Sequence, residues 1–440
     1  MSKNALDLDS GTLSITDNSP EENLHRRLIL RLLPLLLVCY LFAHLDRINI
    51  GFAKLQMSSD LGFSNTVYGF GAGLFFVSYM LFGVPSNIVL DRVGPRRWIA
   101  FLMVSWGLMS TAMLLVQTPF QFYALRFLLG VAEAGFFPGI LVYLNRWFPA
   151  DRRAQVTAMF AIAVPMAGII GGPVSGWILE NMLHVANMRG WQWMFLLEGA
   201  PVVVLGLVVL RCLPDSFEHV KWLTDAEKNL MRLAVEREEK SKQITSFTAI
   251  LRNGYVWMLV AIYSAVMLGM GIIAFWMPTL IATSGIQHDS TIGLLSAIPY
   301  LFGCASMIVV GRSSDKRKER RWHLCGPLLM AAGGISMAGL FSHDIYILMP
   351  SLIVACMGVT TALPMFWQLP PAFLSDRILA TGIALVSSLG SVASFLSPYF
   401  VGWMRDATQS TSLALYLLAS LIALGGLLVL RIPAVTVNPE

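Results

Sequence analysis

The chain has 440 residues, of which 56% are hydrophobic and only 13% charged, with a mean hydropathy of +0.66 and a formal charge of +5. Soluble domains carry roughly 25% charged residues, so the polar side chains here are too few to cover an ordinary soluble core. The composition excludes that class and leaves an all-α, polytopic membrane protein, whose basic excess reports topology and needs no nucleic-acid partner.

In chain order, residues 1–27 form an expected cytoplasmic tail, polar and acidic at its start, without the basic stretch and short apolar core of a secretory leader. Apolar runs near the ~20 residues that cross a bilayer follow at 28–50, 66–90, 98–117, 120–144, 154–179 and 191–213. Residues 214–253 are a highly charged connector in which Thr224, Asp225, Ala226 and Glu227 open an amphipathic helix through a capping box. Six more runs lie at 254–283, 290–311, 322–341, 345–367, 379–403 and 411–431, before a second cytoplasmic tail at 432–440. The seventh, with Gly269, Gly271 and Pro278, is expected to bend or break.

With both ends inside, cytoplasmic segments hold 26 of the 31 Lys and Arg residues. Lys54, Arg189 and Arg405 fall in expected external loops, and Arg47 and Arg126 within spans. This is the bias expected when basic loops stay in the cytoplasm. Cys39, Cys212, Cys304, Cys325 and Cys356 form no CxxC pair and read as small core residues. A missing Asn-x-Ser/Thr sequon and a short first loop lean toward a bacterial inner membrane.

An ungapped offset of 224 residues relates Gly69 to Gly293, Asp91 to Asp315, Arg92 to Lys316, Arg96 and Arg97 to Arg320 and Arg321, and Trp98 to Trp322. Such repeats build secondary transporters from two six-helix halves with a substrate site between them at mid-membrane. A charge at the bilayer centre costs on the order of 3 kcal/mol or more, so ionisable residues there face a bundle interior and serve transport. Asp46 and Arg47 in the first span, with Arg126 and Glu133 in the fourth, make a set that is neutral overall. An arriving anion or proton upsets that balance.

The run NIVLDRVGPRR at 87–97 and its counterpart GRSSDKRKERR at 311–321 resemble the signature loops of the major facilitator superfamily, with Asn87 in place of the usual glycine. HLDRINIGFA at 44–53, RFLLGVAEAGFFPGILVYLNRWFP at 126–149 and GWQWMFLLEGAP at 190–201 more narrowly resemble the anion:cation symporter family. The resemblance implies the major facilitator fold, two pseudo-symmetric six-helix bundles, and inward cotransport of organic anions with protons. Family substrates include sugar acids, tartrate-like diacids and aromatic acids. Where sugar-acid carriers place asparagines in the eleventh span, GIALVSSLGSVASFLSP has serines, which favours a smaller or aromatic acid.

Arg126 and Glu133 lie two turns, ~10 Å, apart on one helix face. Tyr40, His44 and Arg47 share a face of the first span, whereas Asp46 points about 120° from Tyr40 and is expected to meet the fourth span. Arg47 and Arg126 are the expected carboxylate grips, Glu133 and then Asp46 the proton carriers. Tyr40, His44, Tyr79, Gln155, Trp276, Trp367, Gln368, Ser387 and Ser391 are expected to complete the substrate wall, with the second half supplying no charged residue to a span interior. Gly168, Gly172 and Gly176 predict a close helix contact. Asp91, Arg92, Arg96, Arg97, Asp315 and Lys316 are expected to act as a cytoplasmic gate.

The expected partners are an organic acid, protons and lipid, in a monomer without cofactor or metal. Enzyme motifs such as HExxH and GxSxG are absent from the sequence. A pH-independent facilitator or exchanger is the alternative, and a membrane sensor of the same fold a weaker one.

Overall fold

The computed structural model describes residues 20–148, 150–239, 254–373 and 376–433. Among them twelve helices or helix pairs are long and apolar enough to cross a membrane. The first half comprises α1 (Pro20–Leu61), α2 (Asn65–Val93), α3 (Pro95–Ala112), α4 (Pro119–Glu133), α5 (Phe136–Trp147), α6 (Ala150–Asn181) and α7 (Gly190–Cys212). After α8 (Asp225–Glu239) come α9 (Gly254–Thr283), α10 (Asp289–Arg317), α11 (Arg321–Leu340), α12 (Ile345–Phe366), α13 (Pro370–Phe373), α14 (Asp376–Thr408) and α15 (Ser412–Val429). An even number of crossings puts both chain ends on one side, here the terminus end. The opposite side is the far end.

Three elements depart from the sequence expectation. Helix α1 runs through Lys54 to Leu61, because no proline intervenes between Ile50 and Gly62, whose φ of +65° ends it. Ser64 then caps α2 by accepting from the Val67 N–H at 3.1 Å. The fourth span is two helices, α4 and α5, interrupted between Glu133 and Phe136. Pro138 lacks the N–H that would reach the Ala134 carbonyl, and its ring crowds that carbonyl, so the chain gives way there. The seventh span, by contrast, is the unbroken helix α9. Its glycines serve contacts instead of a bend: a Cβ on Gly269 would meet Val359, and one on Gly271 would meet Ser397.

The halves meet along α6 against α10, α2 against α14, and α1 against α9. Glycine makes the first two possible. A Cβ on Gly69 would stand 2.3 Å from the Pro398 carbonyl oxygen, and one on Gly293 2.3 Å from that of Gly172. The repeat-related glycines therefore hold equivalent positions in the two interfaces. Gly168, Gly172 and Gly176 face Tyr300, Gly293 and Asp289, so their stripe is the seam between halves.

Two buried clusters describe how the bundles adhere. One spans both halves, joining α1 and α2 residues such as Ile50, Phe52, Met57 and Tyr68 to the core of the second half. The other stays within the first half and the connector, from Leu24 through Tyr143 and Trp147 to Phe217, Leu223 and Met231. Since residues 50–68 lie near the far end, the halves share their core there. The connector is tied to the first half: Trp222 stacks on Trp147 with centroids 6.1 Å apart, and Glu227 both pairs with Arg27 and completes the Thr224 capping box. Polar contacts between the halves also gather at the far end. Gln56 donates to Asp289 at 2.7 Å, and the Tyr68 hydroxyl donates to the Phe275 carbonyl at 3.0 Å.

Candidate functional site

Helices α1 and α4 bring the four predicted charges together. Arg126 and Glu133 occupy one face of α4 and are 1% and 0% exposed, and Asp46 is 3% exposed. Arg47 Nε donates to Glu133 Oε1 at 2.7 Å, and its Nη2 reaches the same oxygen. Arg126 donates to the carbonyls of Gly71 at 3.4 Å and Ala72 at 3.2 Å on α2. The Phe75 ring lies under both guanidiniums, 5.5 Å from Arg47 and 5.3 Å from Arg126. Gly130 permits this packing, because a Cβ there would stand 2.1 Å from Ser78 Oγ and 2.3 Å from the Phe75 carbonyl oxygen.

Asp46 does not make the expected bond to α4. Its Oδ1 accepts from Asn49 at 3.1 Å and from Ser110 on α3. The helical turn explains this: one residue rotates the direction by ~100°, so once Arg47 faces Glu133, Asp46 is turned toward α3. Asp46 still lies in electrostatic range of Arg126. Asp46 Oδ2 and Glu133 Oε2 are buried and meet no hydrogen-bond donor among the described residues.

The sequence reading missed two buried charges. Glu198 on α7 is 5% exposed; its Oε1 accepts from Ser175 at 2.7 Å, and it lies in range of Asp46. It stands within the quoted motif at 190–201, and that position inside an apolar run was the available signal. Lys54 was assigned to an external loop but is 6% exposed inside α1. Its ammonium sits 4.2 Å from the Trp276 ring centroid and 5.2 Å from that of Tyr68, and donates to Thr279 at 3.4 Å. Seven residues, two turns, separate it from Arg47 along one face. Arg405, also assigned to a loop, is in α14 with its guanidinium carbon 6.0 Å from the Trp276 ring.

The remaining wall residues divide between two places. Tyr40 contacts the His44 ring at 4.4 Å and stacks on Phe137 at 4.9 Å, while His44 Nδ1 lies 3.2 Å from the Tyr40 carbonyl oxygen. Tyr79 lies under Arg47 at 5.0 Å. Tyr263 of α9, absent from the sequence reading, lies in electrostatic range of Tyr40, Tyr79 and Arg47 and 5.0 Å from the Trp367 ring. It rests against Gly390, one residue from Ser391, whose hydroxyl donates to the Ser387 carbonyl. Gln368, next to Trp367, keeps a buried Oε1 without a donor among the described residues. Trp276 belongs elsewhere, fully buried beneath Lys54. The side chain of Gln155 lies outside the described residues, as does that of Asp91.

Among the expected gate residues, Arg96 pairs with Asp215 of the connector at 3.0 Å, within the first half's own assembly. Arg92, Arg97, Asp315 and Lys316 are exposed at the terminus end. The described residues contain no group of three or more metal-ligating side chains.

A family model described as Major Facilitator Superfamily matches residues 36–398 and again 288–437. The chain belongs to the major facilitator superfamily. It is 42% identical over 98% of its length to a protein of Pseudomonas putida provisionally named the metabolite transport protein NicT, covering 97% of that protein. It is 43% identical to a provisionally named tartrate transporter of Agrobacterium vitis, over 93% of this chain and 94% of that one. The solved structure of a D-xylose-proton symporter matches in fold with a TM-score of 0.73 at 15% identity, covering 93% of this chain and 100% of the other. As a member of the superfamily the chain is a multi-pass membrane transporter and not an enzyme.

Proposed function

We propose that the protein imports an organic carboxylate together with protons by alternating access, in a bacterial inner membrane with both termini in the cytoplasm. The halves that move are then residues 28–213 and 254–431, with 214–253 as connector. The observation that carries the reading is the Arg47–Glu133 pair: Arg47 spends Nε and Nη2 on one carboxylate oxygen. A substrate carboxylate needs that guanidinium fork, and Glu133 must release it first. A proton taken up on Glu133 cancels its charge, frees Arg47, and leaves the buried set able to accept one negative charge without net change. Loss of that proton toward the cytoplasm restores the ion pair and expels the anion.

Arg126 is the second grip, its guanidinium hydrogen-bonded among the described residues to two neutral carbonyls and to no carboxylate. Tyr40, His44, Tyr79, Tyr263 and Trp367 supply an aromatic wall suited to a small or aromatic acid. Kinship with a protein named for tartrate supports the carboxylate class.

The test is uptake into proteoliposomes under an imposed proton gradient, across L-tartrate, 4-hydroxyphenylacetate and a sugar acid. Arg126→Ala is expected to abolish binding, and Glu133→Gln to keep substrate exchange while losing gradient-driven accumulation. Accumulation by Glu133→Gln at the wild-type level removes Glu133 from coupling, and pH-independent uptake by the wild type identifies a facilitator.

A further inference from the structure

At the terminus end, on the outside of the first half, a cleft of about 520 Å³ is lined by Arg31, Arg96 and Arg211 together with Leu213, Pro214 and Trp222. Three elements supply the guanidiniums: α1, the start of α3 and the last turn of α7. Among the described residues one carboxylate answers them, Asp215, which pairs with the Arg96 guanidinium at 3.0 Å and accepts from the Arg96 backbone N–H at 3.3 Å. Arg31 lies 4.8 Å over the Trp222 ring, which holds it in place without neutralising it. Arg211 meets no hydrogen-bond acceptor among the described residues and is exposed. Among the described residues the cleft thus carries a double positive charge without a compensating acid.

Its position points to the occupant. Val204, Leu207 and Arg211 recur at helical spacing on one exposed face of α7, and Val204 and Leu207 are 61% and 54% exposed. Leu30, 61% exposed, precedes Arg31 on α1. An apolar track therefore leads along the membrane-facing surface into a basic cleft at the level where the spans end. A molecule matching both parts has a phosphodiester head and hydrocarbon tails.

We propose that this cleft binds an anionic phospholipid, the phosphate between Arg31 and Arg211 and an acyl chain along Val204 and Leu207. Basic pockets at the ends of membrane helices recognise such headgroups, and anionic lipid attracts basic residues near the surface. Trp222 and Asp215 belong to the connector, so an occupied cleft fastens the connector to α1, α3 and α7. The inference is independent of the transport reading, since none of its residues touches the buried charge set.

The full chain in detergent is titrated with phosphatidylglycerol, phosphatidylcholine and inorganic phosphate, following lipid retention by native mass spectrometry and the melting temperature. Phosphatidylglycerol is expected to bind and stabilise, and the other two to do neither. The Arg31→Gln/Arg211→Gln double variant is expected to lose about tenfold or more in phosphatidylglycerol affinity, whereas Arg31→Lys/Arg211→Lys retains most of it. Equal stabilisation by phosphatidylcholine overturns the headgroup assignment, and equal stabilisation by inorganic phosphate overturns the lipid. A folded double variant that retains phosphatidylglycerol like the wild type overturns the site. Should that variant fail to fold, the three wild-type titrations and Arg211→Gln alone decide.

Discussion

Asp406, near the end of α14, accepts hydrogen bonds from the backbone N–H of Thr66 at 2.7 Å, as well as from that of Asn65 at 3.2 Å. An acid of the second half thus caps a helix of the first. Glu180 of α6 does the same in reverse, accepting from the Ser290 N–H at 2.8 Å at the start of α10. Thr66 and Ser290 are 224 residues apart, so the internal repeat reappears as two matched clamps across the far end.

Breaking the clamps should open that end. Removing a side-chain cap from a helix N-terminus costs about 1 kcal/mol, so Asp406→Ala with Glu180→Ala is expected to shift the balance toward far-end-open states by roughly thirtyfold if the two add. Spin labels at Ser59 and Gln409 read the separation directly. An unchanged distance distribution in the double variant would show that the clamps do not hold the closure.

Lys54 fastens the same end by a different means. Its ammonium crosses from α1 to the Trp276 ring of α9, a buried cation–π contact worth about 2 kcal/mol when desolvated. Lys54→Met is expected to keep the fold while lengthening the Ser59–Gln409 distance and slowing uptake. Lys54→Arg should retain most activity. Equal loss with arginine would mean that shape, rather than charge, governs the contact.

Gly172 tests the seam itself. A Cβ there would stand 2.7 Å from the Gly293 carbonyl oxygen, and backbone cannot yield as a flexible side chain can. Overpacking of this kind costs about 1–3 kcal/mol. Gly172→Val is therefore expected to hold α6 away from α10, preserving substrate binding from the far side while stopping turnover. Normal turnover in this variant would place the moving seam elsewhere.

Glu198 is buried beside Asp46 with Ser175 as its hydrogen-bond donor. Glu198→Ala leaves that hydroxyl without its acceptor, at a cost of about 1–3 kcal/mol, seen as a lower melting temperature. Glu198→Gln preserves an acceptor and should be nearly neutral in stability. If glutamine also leaves the pH dependence of uptake intact, Glu198 is structural and coupling stays with Glu133 and Asp46.

The twelve-span architecture was legible because each span carries its own apolar signal, and the repeat at Gly69 and Gly293 revealed its two halves. The charges on α1 and α4 were legible because they interrupt apolar runs. Lys54 is not legible as a buried charge because the apolar run weakens after Ile50 while the helix continues to Leu61. Glu198 was lost inside a motif read only for its resemblance. The Asp46–Ser110 contact and the place of Tyr263 depend on how neighbouring helices are rotated, which spacing along one chain does not specify. The break after Glu133 was signalled by Gly135 and Pro138, whereas in α9 Gly269 and Gly271 serve close contacts with Val359 and Ser397 and Pro278 sits within a continuous helix.

The first half owns a core that the connector seals and the second half does not enter. During synthesis that core can therefore assemble before α9 leaves the ribosome. The second half then folds against a surface already in place, which makes the order of assembly vectorial and assigns the shared far-end core to its last step.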